Sequence, residues 1–231
     1  DYNTLYRCGW GWKHSGLQRI YDTKIGGTDY FVWVDGDGTE HWFKNKGNGT
    51  ANSAKDEEGL QLTLTRYAAS GTTPPRIEIV DKSHSKMVFQ KRLSTANSGT
   101  WVDYWLIRAQ DARGNTAHYE YKKPANLDDD AAMRALEGML MKITDGADRK
   151  TEFIYYANGL LSSITTPDAQ GSRRTVSFRY AASGRLVGVH YSELPGTASH
   201  TTYIYMTGTN LLGVMQNYDG LSVKFAYEPA S

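Results

Sequence analysis

Cysteine is nearly missing from this chain. Cys8 is the only one in 231 residues, which excludes an internal disulfide framework and a four-cysteine zinc site and leaves the redox compartment unreadable. Stability must therefore come from burial. An excess of charge is missing too. Lys plus Arg is 26 against 25 for Asp plus Glu, a formal net charge of +1, so no global field draws the chain to nucleic acid or anionic lipid. There is no run of 18 apolar residues and no basic-then-apolar leader, so nothing visible spans a membrane or directs export. Opening on Asp1 rather than Met, the chain reads as a piece of something longer.

The usual marks of catalysis are absent as well. Gly-x-Ser-x-Gly, His-Glu-x-x-His and a cysteine with a histidine partner motif do not occur. His14, His41, His84, His118, His190 and His200 are scattered in or beside expected strands and turns, where they read as solvated or satisfied sheet residues. Glu57-Glu58 reads as a solvated turn rather than an acid/base pair. The stretch Asp35-Gly36-Asp37-Gly38-Thr39-Glu40 invites a calcium reading, but an EF-hand loop from Asp35 needs Gly at its sixth position and Glu at its twelfth, which hold Glu40 and Lys46. Nor does a nucleotide-binding βαβ unit surround Asp35 and Asp37, so a hairpin turn outweighs a metal pair. The expectation is no catalytic, cofactor-binding or metal residue, and no cofactor. The sequon Asn48-Gly49-Thr50 is a three-residue match of the kind chance produces.

What is abundant is glycine, at 23, and tyrosine, at 16, while apolar residues at 39% and charged ones at 22% sit near globular norms. That balance favours turn-rich sheet and argues against disorder. The length suits one large all-β unit or two domains. Five aromatic pairs spaced by two share one grammar: Tyr119/Tyr121, Phe153/Tyr155, Phe178/Tyr180, Tyr203/Tyr205 and Phe225/Tyr227. Spacing by two puts both rings on one face of a strand. The steps from pair to pair are 34, 25, 25 and 22 residues, and the last three define a period.

Each pair is followed by a turn and a short aliphatic strand. Asn158-Gly159 leads to Leu160, Leu161 and Ile164; Ser183-Gly184 to Leu186 and Val189; Thr209-Asn210 to Leu211, Leu212 and Val214. A second turn follows, at Thr166-Pro167-Asp168, Glu193 to Gly196 and Tyr218-Asp219-Gly220, before the next pair. Each period is thus one hairpin, expected to close through a two-residue Asn-Gly-type turn, plus the link to its neighbour. A lone hairpin is marginal in water, so such tiles must pair edge to edge. Fainter hairpins precede them around Asp35 to Gly38, Lys82 to Ser85 and Arg113-Gly114-Asn115. One segment departs from this, since Asp128 to Asp130 and the apolar spacing through Leu127 to Lys142 predict a short helix.

The fold expected is all-β: consecutive antiparallel hairpins forming a long twisted, curved sheet with at most one short helix. All six tryptophans lie at or before position 105, so a Trp-rich irregular region, 1–110, leads into regular repeats at 111–231, continuous as one sheet. Both ends of such a sheet would be open edges, favouring an edge-to-edge dimer. The aromatic stripe reads as core or shell lining ahead of a stacking platform, and Arg173-Arg174 are isolated rather than part of a basic strip.

The copies Tyr155-Tyr156-Ala157-Asn158-Gly159-Leu160-Leu161 and Tyr180-Ala181-Ala182-Ser183-Gly184-Arg185-Leu186 resemble YD repeats, also called RHS repeats, whose signature is roughly Tyr-Asp/Asn-x-x-Gly-Arg/Asn-Leu. Asp111 to Asn115 and Asp145 to Arg149 are similar to the family's inter-tile turns, and the resemblance covers about residues 28 to 231. It implies a spiral sheet segment of a larger bacterial protein, extracellular or at the cell surface, that encloses a toxin or presents a partner polypeptide. The partners implied are the protein's own C-terminal cargo domain or neighbouring repeats, with no nucleic acid and no membrane insertion. The family's self-cleaving Asp-Pro-x-Gly core has no match, since Thr166-Pro167-Asp168-Ala169-Gln170-Gly171 differs from it. From another class comes a second expectation: a surface module holding carbohydrate through Trp10, Trp12, Trp33 and Trp42.

Overall fold

Turn chemistry explains why this chain folds into hairpins. The computed structural model describes residues 8–9, 11–45, 53–93, 101–122, 138–167, 172–196 and 198–228. Five-residue loops recur at Asp35–Thr39, Asp81–Ser85, Asp111–Asn115, Asp145–Arg149, Tyr156–Leu160, Ala181–Arg185 and Asn217–Leu221. In each, the first residue's amide donates to the fifth's carbonyl and the fourth's amide to the first's carbonyl. The fourth residue takes positive φ, from 64° at Asp148 to 101° at Gly38. The sequence suggested two-residue turns at Asn158-Gly159; the structure instead places both inside a three-residue loop, with the glycine as the left-handed residue of a bulge. Further along the ladder, separate register shifts occur at Ile154/Tyr155, Arg179/Tyr180 and Ile204/Tyr205. Where the loop opens on aspartate, its Oδ1 accepts the amides two and four residues on, as Asp111 does from Arg113 and Asn115 at 2.9 Å each.

Seventeen strands result: β1 (Arg19–Ile25), β2 (Thr28–Val34), β3 (Glu40–Lys44), β4 (Ser53–Lys55), β5 (Thr63–Tyr67), β6 (Arg76–Val80), β7 (Lys86–Leu93), β8 (Trp101–Gln110), β9 (Thr116–Tyr121), β10 (Leu140–Thr144), β11 (Lys150–Tyr155), β12 (Leu161–Pro167), β13 (Arg173–Tyr180), β14 (Leu186–Tyr191), β15 (Thr201–Tyr205), β16 (Leu212–Asn217) and β17 (Ser222–Lys224). Their pairings are antiparallel, the sheet as a whole does not close, and there is no helix among the described residues. The helix expected over Leu127 to Lys142 falls mostly outside the described residues, and its last three residues, Leu140 to Lys142, belong to β10.

By contacts the chain forms two units, one of His14–Leu127 and Glu137–Arg149, the other of Asp1–Lys13, Asp128–Leu136 and Lys150–Ser231. In the first, β1 pairs along its length with β2 and, through Arg19↔Trp105 and Ile20↔Tyr104, with β8. The succession β1 to β8 therefore returns to its start. Its thinnest seam lies between β3 and β4, held by one Phe43↔Asp56 bridge, by the Glu57 amide on the Trp42 carbonyl at 3.0 Å and by the Trp42 amide on Glu58 Oε1 at 2.9 Å. Strand β8 is the junction: its first half meets β1, and Arg108 to Gln110 pair with β9. The expected open edge at the start of the sheet is accordingly shortened, because β1 pairs with β2 along its length and with β8 at Arg19 and Ile20.

Alternation along these strands sends one residue in two into the ring. Ile20, Phe31, Trp33, Phe43, Leu64, Ile77, Ile79, Phe89, Tyr104 and Leu106 form its buried cluster, each side chain contributing about 1.5–3 kcal/mol of hydrophobic stabilisation. At one rim the inward positions turn polar: Lys91 Nζ lies 3.6 Å from Asp22 Oδ2 and 5.1 Å from the Tyr104 ring centre. Burial first, then the Asp22 charge, raises the Tyr104 phenol above its ordinary pKa. Arg19 Nη1 meets Asp103 Oδ2 at 2.6 Å beside the β1–β8 pairing.

Candidate interaction surface

In the second unit, β11 to β17 run as a meander, each pairing with the next. The rings at Phe153, Tyr155, Phe178, Tyr180, Tyr203 and Tyr205 fall on buried or half-buried positions, whereas Ile154, Arg179 and Ile204 between them are exposed. The sheet thus has one ring-bearing face, as the spacing by two requires.

The second tyrosine of the pair has a specific task. Tyr180 donates its hydroxyl to the Leu161 carbonyl at 2.9 Å, Tyr205 to Leu186 at 2.8 Å, Tyr227 to Leu212 at 2.9 Å and, in the first unit, Tyr121 to Leu106 at 2.8 Å. Each acceptor lies just beyond the end of a backbone ladder, whose terminal pairs are Ser163↔Ser177, Gly188↔Thr202, Val214↔Lys224 and Arg108↔His118. There the strands splay at the loop, and the phenol supplies the donor that the neighbouring backbone no longer reaches. This latch ties each tile to the strand before it and accounts for the tyrosine of the repeat. Burial, ahead of the charges of Cys8 and of Tyr156 and Tyr155, pushes the Tyr180 phenol well up, and burial also raises Tyr203 and Tyr205.

The amino-terminal segment covers part of this face. Trp12 Nε1 donates to Tyr205 Oη at 2.9 Å, and the Trp12 ring lies 4.6 Å from that of Tyr203. Gly9, at φ +88°, approaches so closely that a Cβ would sit 2.9 Å from the Gly184 carbonyl oxygen. Of the tryptophans put forward for carbohydrate, Trp12 is therefore engaged with the tyrosines, and Trp33 is buried with its Nε1 on Gln18 at 3.2 Å. Trp42 is half-buried and edge-on to Tyr30 at 5.6 Å. Trp10 lies outside the described residues, as does the sequon at Asn48.

The remaining candidates are absorbed by turns and pairs. Asp35 Oδ1 accepts the amides of Asp37, Gly38 and Thr39 at 3.0 Å, and its Oδ2 meets His41 Nε2 at 3.0 Å. Asp35-x-Asp37 is thus a hairpin turn. His84 sits at a left-handed turn position, φ 66°, and His118 is exposed on β9. Buried His200 accepts the Tyr191 amide on Nδ1 and donates from Nε2 to the Pro195 carbonyl, both at 3.0 Å, while stacking on His190 at 4.5 Å. It pins the loop between β14 and β15, a role that no local sequence pattern signals. Arg173 pairs with Glu152, and Arg174 with Glu193 at 2.8 Å. A cleft of about 420 Å³ floored by Met87, Ala109 and Ala117 is rimmed by Asp81, Asp111 and Asp145; hydrogen bonds hold the carboxyls of Asp111, chiefly from Asn115, and Asp145, chiefly from Arg149, below the usual range. Among the described residues no three His, Cys, Asp or Glu side chains gather to hold a metal ion, and no helix is long and apolar enough to cross a membrane.

No family model and no curated protein matches the chain. Among solved structures it is similar to a chain in the TcdB2-TccC3-Cdc42 crystal structure (10% identity, TM-score 0.33, 92% of this chain and 14% of that one). A second is TcdB2-TccC3 without its hypervariable C-terminal region (11%, TM-score 0.33, 88% and 15%). A third is the Photorhabdus luminescens Tc holotoxin pore with a TccC3 mutation (10%, TM-score 0.31, 82% and 13%). The chain spans about a seventh of the length of these neighbours.

Proposed function

We propose that this chain is a non-enzymatic structural segment of an RHS/YD-repeat-type bacterial protein, a stiff β-sheet that encloses or presents a partner polypeptide outside the cell or at its surface. The observation that carries the proposal is the latch. Four tyrosines in equivalent positions close four inter-strand seams in the same way, which is the economy of a scaffold assembled by repetition. Polar groups converging on a reactive centre would mark an enzyme; here the aspartates are committed to turn amides and His200 to a loop. The action is mechanical: hydrogen-bonded tiles resist bending, and the ring-bearing face offers half-buried aromatic surface to a covering polypeptide, as Trp12 already shows for the chain's own segment.

Carbohydrate binding is the competing reading, because Trp42 and Tyr30 remain half-buried rather than sealed. Tryptophan emission titrated against a glycan panel separates the two. The scaffold reading expects no saturable shift with any sugar. A saturable shift abolished by Trp42→Ala overturns it.

A further inference from the structure

Two histidines hold the link between β14 and β15. His200 takes the Tyr191 amide on Nδ1 and bonds the Pro195 carbonyl through Nε2, both at 3.0 Å. A backbone amide can only donate and a carbonyl can only accept, so these partners fix the ring's state: neutral, with its proton on Nε2. His190 holds the Ala198 carbonyl at 3.0 Å through Nδ1, which therefore carries a proton. Its ring stacks on that of His200 at 4.5 Å and 24°. His200 is buried and His190 half-buried.

The seam that this link closes has the shortest ladder of the meander. Its pairs are Gly188↔Thr202 and Val189↔Thr201, two where the ladders on either side have five. At one end the Tyr205 hydroxyl latches to Leu186. At the other the His200 amide meets the Val189 carbonyl at 2.7 Å, and Ser199 packs over Gly188, leaving no room there for a Cβ. Few charges face the histidines. Tyr191 of β14 lies 6.2 Å from the His200 ring, and Tyr218 of the β16–β17 loop stands edge-on to it at 6.0 Å. Of the carboxylates on these elements, Glu193 pairs with Arg174 of β13 and Asp219 accepts the Leu221 amide, and neither is bonded to an imidazole.

We propose that His190 and His200 form a clamp that acid releases. Histidine takes up its second proton between about pH 5 and pH 8. On His200 that proton goes to Nδ1 and turns an acceptor into a donor, so the Tyr191 amide and the ring then meet N–H to N–H and their bond is lost. On His190 it goes to Nε2, which sets two cations face to face with no carboxylate bonded to either. The closed link needs the neutral form, so it is held above the histidine range and let go below it. The seam is then left with two backbone pairs and the Tyr205 latch. Tyr205 also bonds Trp12, so opening reaches the segment that covers the ring-bearing face. The clamp belongs to the link itself and stands whatever the sheet encloses.

Amide hydrogen exchange on the full chain tests this, expressed as protection factors so that the intrinsic pH dependence of exchange cancels. The interval runs from about pH 7.5 to about pH 5, above the range in which the turn aspartates take protons. Across it, protection of the Tyr191 and His200 amides should fall at least about ten-fold. The Ala181 amide, bonded to the Arg185 carbonyl in the same unit, should change less than about two-fold. At the upper pH, nitrogen NMR should find the His200 proton on Nε2. His200→Gln, whose amide supplies an acceptor and a donor without titrating, should show no fall at Tyr191; if it does not fold, His190→Gln takes its place and should at least halve the fall. Constant protection at Tyr191, an equal fall at Ala181, a His200 proton on Nδ1 at the upper pH, or an undiminished fall in the folded variant overturns the clamp.

Discussion

The latch makes the sharpest stability prediction. Tyr180→Phe keeps the ring and its packing and removes only the hydroxyl that meets the Leu161 carbonyl at 2.9 Å. Leu161 is fully buried, and its carbonyl lies beyond the β12–β13 ladder, so water does not readily replace the lost donor. A hydrogen bond contributes about 0.5–1.5 kcal/mol net, and a buried group left unpaired costs about 1–3 kcal/mol; the expected loss is about 1.5–2 kcal/mol. Tyr227 makes the same bond at 2.9 Å but is 45% exposed, so water substitutes and Tyr227→Phe should fall within about 0.5 kcal/mol. Urea unfolding followed by tryptophan emission reads both, and with a slope of about 2–3 kcal/mol/M the Tyr180 variant should shift its midpoint down by roughly 0.5–1 M. The decisive quantity is the difference between the two variants. Equal shifts, or a neutral Tyr180→Phe, would refute the claim that these phenols complete the ladder at buried seams.

Three further outcomes follow from the same geometry. Tyr104, Tyr119, Tyr180, Tyr203 and Tyr205 all have phenols raised by burial, so their neutral forms favour the fold; stability should hold below the unfolded value of about 10 and fall as pH climbs toward the folded values, with a shallower fall in Tyr180→Phe. Asp111 and Asp145 have lowered pKa values, so their contribution is present above about pH 4 and lost as pH falls through the folded values; carbon-detected NMR should find both carboxyls titrating below ordinary aspartate, and ordinary values would contradict the turn geometry. Gly184→Ala, at φ 79°, should cost about 1–2 kcal/mol in thermal melts, whereas Asp148→Gly, at φ 64°, should be neutral or stabilising.

Hairpin identity was legible because it is local. Rings two apart select one strand face, Gly159 and Gly184 mark left-handed turn residues, and the repeat of both along the chain announces tiles. Turn class was harder to read, since Asn-Gly serves two-residue and three-residue loops alike; only the bonds from the Tyr156 amide to the Leu160 carbonyl and from the Gly159 amide to the Tyr156 carbonyl distinguish them. Which tryptophans are already engaged was hidden for a related reason: composition counts Trp12 and Trp33 but does not say that Tyr205 and Gln18 occupy their indole N–H groups.

By itself, then, the sequence determined the all-β class, the positions of the regular hairpins and the face on which the rings stand, because alternation and turn propensity act over a few residues. The tertiary structure alone decided that β8 pairs with β1, so that eight strands return on themselves, that Glu57 and Glu58 help hold the thinnest seam, and that His200 pins a loop. Those contacts join residues far apart in sequence, and which distant edges meet depends on the accumulated twist and register of every strand between them.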